Sequence, residues 1–298
     1  NTAIGFTAGS GITTGDYNIG VGYQALTQLT TGERNTALGY QTLRSLTSTA
    51  AAYNVAVGFA AGELMTTGAN NTLVGSLSGD AVTTGSANTA LGYATLSANT
   101  TASGNTAVGY TAMEDNTTGV ENTAMGSYAL NDNSSGSGNV AIGRETLANN
   151  TTASDNVAVG KLAMYTNTTG SQNTAVGTQA LRLNTTAGEN VAVGYYALKA
   201  NTTGLQNTAV GKESLITNTT GSYNTASGRE AMKYNTTGER NSAFGRTSLT
   251  SNTTGSYNVA VGMQALNAAT TAVKNTAVGY DSLLSASTGE YNTALGAD

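Results

Sequence analysis

Asparagine returns every 17 residues from one end of this chain to the other. It opens the string Asn-Thr-Ala-Val-Gly, or a close variant, at Asn1, Asn18, Asn35, Asn54, Asn71, Asn88, Asn105, Asn122 and Asn139. The series continues at Asn156, Asn173, Asn190, Asn207, Asn224, Asn241, Asn258, Asn275 and Asn292. Only the step from Asn35 to Asn54 is longer, at 19. The consensus unit reads N-T-A-V-G-x-x-A-L-x-x-N-T-T-G-x-x. A fixed period of this kind means one small unit that buries its apolar face by stacking on its neighbours. The expected organisation is a single continuous repeat domain over residues 1–298, with 17 coils, a partial one, and a two-residue insertion within the 35–53 coil.

Seventeen residues are too few for a helix pair, and two glycines per unit would weaken any helix. Thr-Ala-Val bounded by Asn and Gly reads as a short strand between turns. The predicted fold class is therefore all-β: a β-solenoid (β-roll) with one 17-residue repeat per coil. At an inter-strand spacing of about 4.8 Å, the coils would stack to a length of roughly 80 Å.

Numbering each unit from its first Asn shows which columns face water. The 12 Lys and Arg and the 17 Asp and Glu all fall at positions 6, 7, 10, 11, 16 or 17. A thin coil cannot bury charge cheaply, so these columns face out. Position 12 is Asn in ten consecutive units: Asn99, Asn116, Asn133, Asn150, Asn167, Asn184, Asn201, Asn218, Asn235 and Asn252. Before that block it is Ile12, Leu29, Leu46, Met65 and Val82, and after it Ala269 and Ala286. A column that exchanges Asn for apolar residues as a block reads as interior, where stacked amides satisfy one another. A turn Asn in left-handed geometry is the competing reading. At position 1, turn and ladder readings stand level. Position 9 is Leu or Met except at Gly9, Gly62 and Gly79, where position 12 is large (Ile12, Met65, Val82). One large side chain is expected to replace the other.

Along the strand, side chains alternate faces. Positions 1, 3 and 5 are mostly Asn, Ala and Gly, which suit a narrow interior. Positions 2 and 4 are usually Thr or Val beside Val, Ile or Leu, and carry no charge in any unit. An uncharged stripe rich in β-branched residues needs a cover. The expected inter-chain stripe runs through Val108, Ile142, Val159, Val176, Val193, Val210, Phe244, Val261 and Val278, with copies of the same chain as partner. Ser227 beside Phe244 in this column reads as a small residue offsetting a large one.

Little in the sequence supports catalysis. Histidine and cysteine are absent, which removes the commonest bases, nucleophiles and metal ligands. No catalytic residue, metal site or cofactor is expected, and the chain reads as no enzyme. Glu114-Asp115 reads as a solvated edge, and Arg144-Glu145, Lys212-Glu213 and Arg229-Glu230 as lateral ion pairs between coils. A net charge of −5 without a basic stripe argues against nucleic acid. No apolar run reaches the roughly 18 residues of a spanning helix, so no membrane insertion is expected. The chain opens inside a repeat, as a segment of a longer protein would.

The string N-[TV]-A-[VI]-G-x-x-[AS], as in Asn139-Val140-Ala141-Ile142-Gly143 and Asn156-Val157-Ala158-Val159-Gly160, resembles the head repeats of YadA-type trimeric autotransporter adhesins. It is also similar to phage tail-fibre repeats. The likeness spans the chain but only about half of each unit, and the Asn-Thr-Thr-Gly turn is an addition. The resemblance implies a left-handed β-roll, a homotrimer, and surface attachment. The function expected from it is an extracellular fibre or adhesin shaft on a cell or virion surface. Self is the main partner, with a host-surface protein or glycan as the target. A phage tail-fibre shaft is the alternative, and an ice-binding solenoid using the Thr ranks at positions 13 and 14 is a further one. Tyr at positions 6 and 17 reads either as a binding surface or as a shield for the coil edges.

Overall fold

A computed structural model describes residues 1–297 and is all-β, with no helix among them. The fold is a parallel β-solenoid of about 17 residues per coil, each coil giving one three-residue strand at positions 2 to 4. Residues 1–152 and the described residues from 153 onward form two compact units. In the first, strands β1 (Thr2–Ile4) through β9 (Val140–Ile142) pair in chain order. In the second, β10 (Val157–Val159) through β18 (Thr293–Leu295) do the same. Like positions always face like, as in Val191↔Thr208, Ala192↔Ala209 and Val193↔Val210.

The repeat folds this way because many of its backbone groups, in turns as well as strands, find a partner one coil away. In the strand, Thr174 N–H donates to Asn190 O at 2.8 Å. In the turns, Leu181 N–H donates to Ala197 O at 3.0 Å and Thr185 N–H to Thr202 O at 3.1 Å. The pairing thus runs round most of the coil, although only three residues are regular strand. The interior is thin. In the coil from Asn173, the buried side chains are Asn173, Ala175, Ala180, Leu181, Asn184 and Ala187. Ala at position 3 is small because Leu at position 9 must share that space.

The two-residue insertion is absorbed in one bend. Glu33 bridges to Ala51, and Ala52 N–H donates to Glu33 O at 3.1 Å. The next strand then returns to register, with Thr36 opposite Val55.

Backbone strain falls where side-chain chemistry does not announce it. In the coil from Asn173, Gln179 (φ 56°), Leu181 (φ 53°) and Glu189 (φ 60°) are all left-handed. Positions 7, 9 and 17 repeat this along the chain. An L-residue there costs on the order of 1 kcal/mol. Each is pinned by an adjacent coil: Gln179 N–H donates to Lys161 O and Glu189 N–H to Ser171 O. At position 5 only glycine fits. Gly177 has φ +135°, and a Cβ there would lie 2.4 Å from Gly194 O.

Candidate functional surfaces and the internal ladders

Two asparagine columns line the interior. At position 1, each Asn accepts the backbone N–H of the next through Oδ1, as in Asn207 N–H to Asn190 Oδ1 at 2.9 Å. The same Asn207 gives its Nδ2 to Asn190 Oδ1 at 3.3 Å and to Gly221 O at 2.9 Å. This column runs from Asn1 to Asn139 in the first unit and from Asn156 to Asn292 in the second.

The position 12 residues Asn99, Asn116, Asn133, Asn150, Asn167, Asn184, Asn201, Asn218, Asn235 and Asn252 are all fully buried. In the first unit Asn133 donates to Asn116 at 2.7 Å and Asn150 to Asn133 at 2.8 Å. In the second, Asn184 donates to Asn167, Asn201 to Asn184, Asn218 to Asn201, Asn235 to Asn218 and Asn252 to Asn235, at 2.6–3.0 Å. Asn99 starts differently: its Oδ1 accepts from Ala102 N–H and its Nδ2 donates to Ala102 O.

The two columns meet at one atom. The carbonyl at position 15 accepts an amide from each, as Gly221 O does from Asn207 and Asn218, both at 2.9 Å. Gly238 O and Ala187 O are shared in the same way. Two side-chain amides on one carbonyl fill both of its lone pairs. Sequence reasoning found the columns but not this shared acceptor, because a carbonyl leaves no trace in residue identity.

Where position 12 is apolar, space is traded between coils. A Cβ on Gly62 would meet Leu43 Cδ2 at 2.8 Å and Leu73 Cδ1 at 2.9 Å. On Gly79 it would meet Leu73 Cδ2 at 2.9 Å and Val82 Cγ2 at 3.3 Å. Leu73, one of only two departures from Ala at position 3, therefore fills room left by both glycines.

The outer face of the strands is bare. At position 4, Ile142, Val176, Val210, Phe244 and Val261 are 37–42% exposed, and Val108, Val159, Val193 and Val278 are half-buried. Ser227 lies beside Phe244 in register. Flanking this face, position 6 carries Phe6, Tyr23, Tyr40 and Phe59 in a continuous stack, with centroids 5.0–5.5 Å apart and planes within 10°. Position 17 carries Tyr17, Arg34 and Tyr53, with the guanidinium over both rings. Tyr223, Arg240 and Tyr257 repeat that sandwich. Lys274 Nζ donates to Tyr291 Oη at 2.9 Å, which holds its ammonium above the usual lysine range. Rings stacked on each other or on cations offer solvent their edges, not their faces. Sugar stacking needs a face, so this arrangement favours the edge-shielding reading of these tyrosines.

The Thr ranks are partly spent. Thr185, Thr202 and Thr219 at position 13 each donate Oγ1 to the next coil's carbonyl at 3.1 Å. Their position 14 neighbours lie exposed at a bend, not on the flat sheet face.

The acidic and basic pairs differ from expectation in one respect. Arg144–Glu145, Lys212–Glu213 and Arg229–Glu230 pair within their own coils, as sequence neighbours. Links between coils come instead from position 10: Lys233 reaches Glu213 at 2.9 Å and Arg44 reaches Glu63 at 2.8 Å. Position 10 of one coil lies near position 7 of the one before, which adjacency in sequence does not show. The hydrogen bond from Lys233 holds the Glu213 carboxyl below its usual range and the Lys233 ammonium above its own. Beside Glu114 and Asp115, partial burial and then those two charges push Asp132 up. Among the described residues, no three Asp, Glu, His or Cys side chains gather to hold a metal ion.

The chain matches no protein-family model, and no curated protein sequence is significantly similar to it.

Proposed function

We propose that this chain is a segment of an extracellular structural fibre, of the adhesin-shaft or tail-fibre kind, assembled as a homotrimer through its outer sheet face. The observation that carries the reading is the position 2 and 4 face. It is uncharged in every coil, mostly β-branched, and exposed or half-buried along its length, whereas every charge lies in the turns. Selection for solubility alone would scatter charge across both. Each Val taken out of water on that face contributes up to about 1.5 kcal/mol, and repetition along the strands multiplies the gain. The resemblance of the Asn-Thr-Ala-Val-Gly string to adhesin-head and tail-fibre repeats points the same way. The variable turn positions are where a host-surface protein or glycan would be met.

Sedimentation tests the assembly. The expected native mass is three times the 29.8 kDa chain. Val176→Asp should lower it to one chain without loss of β-structure, since the residue is 37% exposed within a single chain. Leu183→Asp, an equally exposed apolar site in a turn, should leave the mass unchanged. A monomer at micromolar concentration with intact circular dichroism would refute the proposal. Binding of the assembled protein to host cells or a glycan panel tests the attachment role, and absence of thermal hysteresis is expected.

A further inference from the structure

The position 12 column ends at Asn252, where the following coil carries Ala269. Within the second unit, every earlier step of the column has a side-chain Nδ2 donating to two acceptors: the preceding Oδ1 and the position 15 carbonyl of its own coil. At Ala269 the donor is gone and both acceptors remain. Asn252 Oδ1 is buried and has no hydrogen-bond partner. Ala272 O accepts Asn258 Nδ2 at 2.7 Å, where Gly221 O, Gly238 O and Gly255 O each accept two amides.

The acceptors keep the geometry of a regular step. A Cβ built on Gly238 would be met by Gly255 O at 2.3 Å, Asn235 Oδ1 at 2.5 Å and Asn252 Nδ2 at 2.8 Å. On Gly255 the first two have equivalents, Ala272 O at 2.2 Å and Asn252 Oδ1 at 2.4 Å, and no nitrogen follows. Turning the Asn252 amide over would not help. Its oxygen would then face Asn235 Oδ1 and Gly255 O, two acceptors with no proton between them.

We propose that a single buried water molecule binds beside Ala269, donating one hydrogen to Asn252 Oδ1 and the other to Ala272 O. Two neutral acceptors held at the separation of an NH₂ group call for a small neutral molecule with two donor hydrogens. Ala in place of Asn releases space on the order of one water, about 30 Å³. A buried acceptor left without any donor would be costly, and the water removes that cost while leaving the coil's backbone undisturbed.

A high-resolution crystal structure of the full chain is the test. One ordered water within hydrogen-bond distance of both Asn252 Oδ1 and Ala272 O is expected, and in solution a long-lived water contact to the Ala269 methyl by nuclear Overhauser effect. In Ala269→Asn the new Nδ2 should take the water's place, and the methyl-position water signal should vanish. An empty site in the parent structure, or an Asn252 amide turned so that its nitrogen faces Ala272 O, would overturn the proposal. Both of those outcomes are read on the parent chain and do not depend on the variant folding.

Discussion

Asn218 donates its side-chain amide twice, to Asn201 Oδ1 in the preceding coil and to Gly221 O in its own, both at 2.9 Å. The column therefore has a direction. At Asn133 and Asn150 in the first unit, and from Asn184 to Asn252 in the second, Nδ2 points back along the chain to the preceding Oδ1. Removing one member strands the acceptor behind it, while the donor ahead keeps its carbonyl.

That polarity makes the cost of substitution depend on neighbours. Asn218→Leu leaves Asn201 Oδ1 without its donor and should cost about 1–3 kcal/mol, while Asn235 retains Gly238 O at 3.0 Å. Adding Asn235→Leu leaves no further acceptor bare, because Asn218 Oδ1 has gone and Gly238 O keeps its bond from Asn224. The pair should lose less than the sum of its singles by about one stranded acceptor. Asn201→Leu with Asn235→Leu strands two, at Asn184 and Asn218, and should be additive. Denaturant melts of the singles and both doubles measure the difference; equal additivity in both pairs would contradict the directional ladder.

Gly177→Ala should be among the most damaging single changes. It combines a φ of +135° with a Cβ 2.4 Å from Gly194 O and 2.7 Å from Gly194 C. Both contacts are backbone, so no side chain can swing away, and a loss above about 3 kcal/mol is expected. Gly104 at position 17 is the contrast: its φ is +72° and its nearest contact is Glu121 Cγ at 3.5 Å. Gly104→Asn should be neutral or slightly stabilising, as Asn70 already occupies this position with φ 59°. Thermal melts of the two variants separate the cases.

Asp80 should weaken the fold at neutral pH. Partial burial, with the Glu63 charge adding to it, pushes its carboxyl above the ordinary 3.8, despite two backbone hydrogen bonds that act the other way. Its Oδ1 is buried without a partner. A carboxyl raised in the folded state binds its proton more tightly there than when unfolded, so its contribution worsens as pH rises from about 3.8 through the folded value. Asp80→Asn should stabilise the fold at pH 7, by less than about 1 kcal/mol because water still reaches the site, and so raise the melting temperature. The gain should fade below pH 3.8. A gain that persists undiminished at acid pH would assign it to packing instead.

The buried column is also a run of glycosylation sequons. Asn-Thr-Thr recurs at Asn99, Asn116, Asn150, Asn167, Asn184, Asn201, Asn218, Asn235 and Asn252, with Asn-Ser-Ser at Asn133. All ten side chains are fully buried, so a folded chain cannot carry sugar on them. Folded protein exposed to an oligosaccharide-transferring enzyme should stay unmodified there, while exposed Asn70, in Asn-Asn-Thr, can react. Chain modified before folding should lack β-structure by circular dichroism. Mass spectrometry that finds sugar on a ladder Asn of a folded chain would contradict the buried placement.

Much of this molecule was legible in one strand of letters. The 17-residue period set the coil, and Thr-Ala-Val between Asn and Gly placed one strand in each. The confinement of charge to six columns marked the turns as solvent-facing, and the exchange of Asn for Leu or Met at position 12 pointed inward. These are statements about side chains, and a repeat writes them many times over. What the sequence did not carry was backbone geometry and adjacency across coils. Gln179, Leu181 and Glu189 hold left-handed backbone although none is a turn residue by type, because inter-coil hydrogen bonds outweigh the local preference. The carbonyl shared at Gly221, the reach of Lys233 to Glu213 and the filling of two glycine sites by Leu73 depend on which atoms stacking brings within a few ångströms. Stacking fixes those distances, and residue identity along the chain does not contain them.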